Sequence, residues 1–146
     1  MQCALCNKQP SGLLPSVMET LQRDVQQLGK VAFEVVAVAA QPSKRVDIYL
    51  PEVALAIEAD GTQHFYGCYQ GKPAREQYDK DRAYDKLCKE TQQRLVQLHF
   101  SDKSEWAKVV QQGIDAAKKG SSSSSPFVMY TRSYKNEADR RRRGLM

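Results

Sequence analysis

A pair of short apolar segments separated by a two-residue turn places the strongest constraint on how this chain can fold. Residues 45–50 read RVDIYL and alternate between polar and apolar side chains, and residues 53–60 read VALAIEAD. The intervening PE pair is a turn signal, and aliphatic side chains dominate both segments. We therefore expect a β-hairpin whose second strand ends in two acids, Glu58 and Asp60.

The rest of the chain carries both helical and strand patterns. Apolar residues recur at helical spacing over residues 16–28, 75–90 and 101–119, whereas residues 31–40 and 94–100 contain the short runs that are typical of strands. The predicted element order is α-β-β-β-α-β-α. A hairpin followed by a β-α-β crossover predicts an α/β fold with a mixed β-sheet core flanked by helices.

The composition changes after Lys119, and this change predicts the domain boundaries. Residues 120–146 begin with GSSSSSP, which is typical of a flexible linker, and include the basic run RRRRGLM. The net charge of the chain is +5, of which +4 lies in this segment. We expect an N-terminal segment over residues 1–12, a folded domain over 13–119, and a linker with a basic tail over 120–146. Such a tail suits nucleic acid, although a nuclear-localisation patch or a solvated disordered end has the same composition.

Bulk properties favour an intracellular protein. The sequence is 27% charged and 41% hydrophobic, which is typical of a globular domain. Its nearest approach to a membrane span, VAFEVVAVAA, is too short to cross a bilayer and contains a glutamate. The N-terminus has no basic stretch followed by an apolar one, as a secretory signal would. We expect no membrane partner and an intracellular location, with nucleus and organelle both open.

The cysteines raise the question of a structural zinc site. Cys3 and Cys6 have metal-ligand spacing, but a zinc site needs two more ligands. The candidates are Cys68, Cys88 and His64. Because there is no second CxxC pair, ordinary thiols are the favoured interpretation and structural Zn²⁺ is the alternative.

The geometry of a hairpin predicts that the acids meet. Residues two apart in a strand face the same way, so Glu58 and Asp60 share a face. A tight turn would pair Asp47 with roughly position 58, and directly opposed Cβ atoms lie about 5 Å apart. Like charges at that distance repel unless a proton or a cation neutralises them, and carboxylates suit Mg²⁺ or Mn²⁺. The alternative is a solvated rim whose acids pair with nearby Lys and Arg.

Three stretches in order resemble a nuclease superfamily. The segments RVDIYLPEVALAIEADGTQHF, YDKDRAYDKL and RLVQLHF resemble the PD-(D/E)xK nucleases, and the nearest branch looks like the small proteins related to very-short-patch-repair mismatch endonucleases. The resemblance covers residues 13–118. It implies a restriction-endonuclease-like fold and metal-dependent endonuclease activity on nucleic acid, with DNA favoured over RNA.

The resemblance also implies a set of catalytic residues. Asp47 would be the central metal ligand, with Glu58 as the second ligand and Asp60 as the third. Asp60 stands where many members of the superfamily have lysine, so this chain departs from the general pattern. Glu19 matches an acid that many members place on the first helix, but it can equally form a capping box with Ser16, three residues earlier.

Further residues are implied near the scissile phosphate. His64 resembles the histidine of the mismatch-repair branch and is a candidate general acid or base, because imidazole titrates near neutral pH. Its alternative role is a packing or hydrogen-bonding loop histidine. Arg82 is a candidate phosphate ligand or an ion-pair partner of Asp47 or Glu58. The candidate nucleic-acid-binding residues are Gln63, Arg82, Lys86, Arg140, Arg141, Arg142 and Arg143.

Two other interpretations stay open. RAP domains, which are found in organellar RNA-processing proteins, resemble the same scaffold, and the stretches IEADGTQHF and SEWAKVV fit their pattern as well. Asp81 and Arg82 favour the nuclease branch. A RAP-like module would bind RNA and leave catalysis open, and a catalytically inactive nuclease fold would serve protein contacts instead.

Overall fold

The computed structural model describes residues 4–61, 74–119 and 128–136. The elements are α1 (Ala4–Asp24), β1 (Ala32–Val35), β2 (Val46–Leu50), β3 (Leu55–Asp60), α2 (Ala74–Glu90), β4 (Arg94–His99), α3 (Lys103–Lys118) and β5 (Val128–Tyr130). A helical turn follows at residues 133–136. The predicted α/β class, with a mixed sheet flanked by helices, is confirmed.

The five strands form one sheet in the order β1-β2-β3-β4-β5. Strand β2 is antiparallel to both β1 and β3, whereas β4 is parallel to both β3 and β5. In the hairpin, Ile48 pairs with Ile57 and Leu50 with Leu55. Continuing this register by one residue puts Asp47 opposite Glu58, as the turn predicts.

Apolar side chains cover both faces of the sheet. On one face, α1 and α3 pack against Ile57 and its neighbours through a cluster that includes Leu21 and Trp106. The indole of Trp106 donates a 2.9 Å hydrogen bond to the carbonyl of His99, so its polar group is satisfied inside the core. On the other face, α2 packs through Tyr84 and Cys88 against a smaller cluster. The acids at the end of β3 therefore lie on the α2 side, where the core is thinner.

Helix α3 approaches the sheet closely at Gly113. A Cβ added there would lie 2.9 Å from a methyl carbon of Val96 and 3.2 Å from one of Leu55. Both contacts are shorter than ordinary van der Waals distances, so any side chain larger than hydrogen would push the helix away from the strands that carry the site.

The predicted start of the first helix is wrong. Helix α1 begins at Ala4, so Ser16 and Glu19 lie within it and cannot form a capping box at its N-terminus. The helix also crosses the boundary expected at residue 12. Leu13 and Leu14 pack against the core, and this packing holds the helical turns that precede Ser16.

The predicted tail is also wrong over residues 128–136, which belong to the fold. Strand β5 extends the sheet, with Val128 opposite Leu95 and Tyr130 opposite Gln97. The side chain of Tyr134 is buried. A three-residue strand is too short to produce a periodic pattern, and the serine-rich stretch before it suggests a linker. Arg140, Arg141, Arg142 and Arg143 lie outside the described residues.

Within the described parts of the chain, no helix combines the length and the apolar character that a membrane crossing needs.

Candidate functional site

The hairpin brings Asp47 and Glu58 together. Their carboxyl groups share a hydrogen bond, and Asp47 Oδ2 also accepts a 2.8 Å hydrogen bond from the backbone N–H of Ala59. Glu58 is only 4% exposed. Two acids that would repel each other if both were ionised are thus held in contact by the pairing of β2 with β3 and by a backbone donor.

Burial raises the free-energy cost of ionising Asp47 and Glu58. Loss of solvent raises the pKa of Glu58 well above its usual range, and the neighbouring charge of Asp47 raises it further. The pKa of Asp47 is also raised by burial, although the hydrogen bond from Ala59 opposes the shift. A proton or a cation is therefore needed to keep the pair stable.

Lys44 supplies the nearest positive charge. Its Nζ lies 3.5 Å from Glu58 Oε1, and its side chain is 29% exposed. Burial by itself lowers the pKa of Lys44, but the carboxylates around it, Glu58 and Asp81 foremost, leave it above the usual value. Sequence reasoning missed this residue. The available signal was a lysine just before β2, at the open end of the hairpin where β3 ends.

Asp60 contacts the C-terminal segment, residues 128–136. The hydroxyl of Tyr134 donates a hydrogen bond to Asp60 Oδ2, and Arg82 Nη2 lies 4.0 Å from the same oxygen. The guanidinium carbon of Arg82 is 5.1 Å from the centre of the Tyr134 ring, a cation–π distance. Asp60 Oδ2 is therefore held by Tyr134 and Arg82, and the role of Asp60 as a metal ligand stays a prediction.

A second buried acid, Asp85, joins the same network. Arg82 Nε lies 2.7 Å from Asp85 Oδ2, and the hydroxyl of Tyr130 donates a 2.8 Å hydrogen bond to that oxygen. The side-chain amide of Gln97 donates to Asp85 Oδ1. Arg82 therefore pairs with Asp60 and Asp85, and not with Asp47 or Glu58 as one sequence interpretation proposed.

An open cleft lies on the α2 side of the sheet. Its lining residues are Gln41, Ser43, Lys44, Lys80, Asp81, Ala83, Tyr84 and Leu87. A narrower recess shares three of these residues with the cleft and reaches the strands; it is lined by Lys44, Glu58, Asp60, Asp81, Tyr84 and Gln97. Glu58 thus lies beneath the cleft and is separated from it by Lys44, Asp81 and Tyr84, the three residues that line both.

The structure does not bring every predicted residue to this site. Glu19 is exposed on α1, which packs on the opposite face of the sheet from α2, so its predicted catalytic role is wrong. Lys86 is exposed on α2. Gln63 and His64 lie outside the described residues, and their roles stay predictions.

The described thiol does not support a zinc site. Cys88 is a free cysteine, fully buried among apolar side chains of the α2 face. Burial raises the pKa of its thiol to about 12, whereas zinc binds the thiolate. Cys3 and Cys68 lie outside the described residues.

In residues 4–61, 74–119 and 128–136, no group of three or more His, Cys, Asp or Glu side chains is arranged so that it could hold a metal ion. The hairpin itself brings together two of the predicted ligands, Asp47 and Glu58.

A first prediction follows from the burial of this pair. Because the pKa of Glu58 is higher in the folded than in the unfolded chain, the folded state holds more protons over the interval between the two values. The free energy of unfolding therefore falls as the pH rises through that interval. In metal-free buffer at pH 8, we expect Glu58→Gln to raise the free energy of unfolding by about 1 to 2 kcal/mol.

Urea denaturation at pH 5.5 and pH 8 measures this effect. Glu19→Gln is the matched control, since it makes the same chemical change at an exposed position, and it should leave both values unchanged. A Glu58→Gln protein that is less stable than the parent at pH 8 would contradict the assignment of a costly buried carboxylate.

Comparison with protein-family models, with curated proteins and with solved structures gives no match. The function is therefore argued from the residues of the site.

Proposed function

We propose that this chain is a metal-dependent endonuclease that hydrolyses phosphodiester bonds in nucleic acid, with DNA as the favoured substrate. The observation that carries the proposal is the contact between Asp47 and the buried Glu58, which lines a recess beneath an open cleft. Two carboxylates in contact offer the hard oxygen ligands that Mg²⁺ and Mn²⁺ prefer. An intracellular location, in the nucleus or an organelle, belongs to the same proposal.

The free-energy cost of burying the carboxylates of Asp47 and Glu58 supports a functional reason for this pair. An apolar or amide side chain in place of Glu58 would avoid both desolvation and repulsion, and one ammonium group, that of Lys44, cannot neutralise two carboxylates. Side chains that lower stability in this way are concentrated at functional sites.

A cation bound by Asp47 and Glu58 would lower the pKa of a water molecule and neutralise charge on the phosphate. The chain's own residues would do the rest. Lys44 and Lys80 line the cleft, where they would hold the phosphate backbone electrostatically. His64 stays the predicted general acid or base.

One observation favours a second candidate, a RAP-like RNA-binding module or an inactive nuclease fold. Asp60 and Asp85 are both satisfied by Arg82 and by tyrosines of the C-terminal segment. Such a closed network stabilises a fold without needing a metal, so the scaffold would persist in a protein that binds nucleic acid and does not cleave it.

A cleavage assay separates these functions. The full chain is incubated with single-stranded and double-stranded DNA and RNA in Mg²⁺ or Mn²⁺, and with chelator, beside Glu58→Gln and the control Glu19→Gln. We expect metal-dependent cleavage by the parent and by the control but not by Glu58→Gln. Binding without cleavage of any substrate would reject the endonuclease in favour of the binding module.

The basic run at the C-terminus gives a second prediction. Removing residues 137–146 leaves β5 and Tyr134 in place and deletes the four arginines, Arg140 to Arg143. If these side chains contact phosphates, affinity for nucleic acid at low salt should fall about tenfold or more, and the dependence of binding on salt should become shallower. Titration at 50 and 200 mM salt measures both effects. Unchanged affinity and slope would assign the run to another role.

A further inference from the structure

Two buried oxygen atoms in the recess lack hydrogen-bond donors. Glu58 Oε1 and Gln97 Oε1 are inaccessible to solvent and accept no hydrogen bond from any described residue. The two side chains are 4% and 2% exposed, and both line the recess beneath the cleft. Leaving a buried acceptor unsatisfied costs about 1 to 3 kcal/mol, so two that line one recess call for a hydrogen-bond donor or a cation there.

The pairing of the strands places these two residues side by side. Glu58 on β3 is the register partner of Gln97 on β4. The amide nitrogen of Gln97 donates to Asp85, and a carboxylate only accepts hydrogen bonds, so the orientation of the amide is fixed. The amide oxygen is thereby left to the recess, and an amide carbonyl is a hard ligand of the kind that divalent cations accept.

An ammonium group already lies against one of these oxygens. Lys44 Nζ is 3.5 Å from Glu58 Oε1, farther than a good charge-assisted hydrogen bond. The lysine side chain lines both the recess and the open cleft, so it has room to move outward. The position of the Lys44 ammonium group shows where the carboxylate of Glu58 stabilises a positive charge.

We propose that Gln97 Oε1 is a third oxygen ligand, beside Asp47 and Glu58, for a divalent cation, and that the ammonium group of Lys44 competes with this cation for the recess. The inference rests on the cation binding of the proposed function but not on cleavage. It predicts opposite effects for two neighbouring residues: loss of Gln97 weakens binding, and loss of Lys44 strengthens it.

The test is the affinity of the full chain for Mn²⁺, followed by the electron paramagnetic resonance signal of the free ion. Gln97→Met keeps the size of the side chain and removes the oxygen, together with the amide nitrogen that donates to Asp85, and we expect affinity to fall about tenfold or more. Its matched control is Gln111→Met, because Gln111 also donates to an aspartate, Asp115, but lies on α3. Lys44→Met should bind Mn²⁺ about tenfold more tightly, with Lys118→Met as its control.

The outcomes distinguish the inference from the proposed function. If the parent binds Mn²⁺ and Glu58→Gln does not, but Gln97→Met binds normally or Lys44→Met binds no more tightly, the inference fails and the cation site stands. If the parent does not bind Mn²⁺, or Glu58→Gln binds as the parent does, both fail. Should Gln97→Met not fold, Lys44→Met decides: tighter binding supports the proposal, and unchanged or weaker binding overturns it.

Discussion

Replacing Asp47 with asparagine is expected to abolish metal-dependent cleavage. An asparagine oxygen can still accept the hydrogen bond from Ala59 N–H, which is 2.8 Å long in the parent, so the local backbone is preserved. What is lost is the negative charge that would hold the cation. Loss of an outer-shell partner alone costs 10- to 100-fold, so loss of a direct ligand should reduce the cleavage rate about a hundredfold or more.

Single-turnover cleavage rates measure this loss. Asp115→Asn is the matched control, because Asp115 is an exposed acid on α3, away from the cleft, and its removal should leave the rate unchanged. A folded Asp47→Asn protein that cleaves at the rate of the parent would exclude Asp47 from the metal site.

Ending the chain at Lys119 is expected to destabilise the domain severely, although the sequence pattern marks that residue as a boundary. The truncation removes β5 and the buried side chains of Val128 and Tyr134. It also leaves Asp60 and Asp85 without the tyrosine hydroxyls that donate to them. Lost apolar burial and two uncompensated buried acids together should cost about 3 to 5 kcal/mol, or prevent folding.

Urea denaturation of chains ending at Lys119 and at Asn136 measures this cost. The longer chain keeps β5 and the helical turn at residues 133–136, and it should unfold like the parent. Tyr134→Phe isolates one contact: burial and the charge of Asp60 raise the pKa of Tyr134 well above its usual range, so the hydroxyl stays protonated and donates. Its removal should cost about 1 to 3 kcal/mol. Equal stability of the two truncated chains would show that β5 contributes nothing.

The hairpin and its acid pair were predictable because the information is local. The turn between β2 and β3 fixes the register, and the register puts Asp47 opposite Glu58. The contact of Asp60 with Tyr134 was not predicted, because Tyr134 lies 74 residues away along the chain, in a segment without a periodic pattern. No local spacing can indicate such a contact.

Lys44 and α1 show two other limits. Lys44 lies outside the strand pattern, and only its long side chain brings its charge to Glu58, so its role depends on a rotamer and not on register. Helix α1 continues across Pro15, a residue that disfavours helix interiors, because Leu13 and Leu14 pack against the core. In both cases tertiary packing overrides a local signal.

Anomalous diffraction from crystals grown with Mn²⁺ tests the central claim most directly. A peak bridging the carboxylates of Asp47 and Glu58, and absent from crystals of the Asp47→Asn protein, is the result that the account predicts. A Mn²⁺ peak elsewhere, with the two carboxylates still hydrogen-bonded to each other, would contradict it.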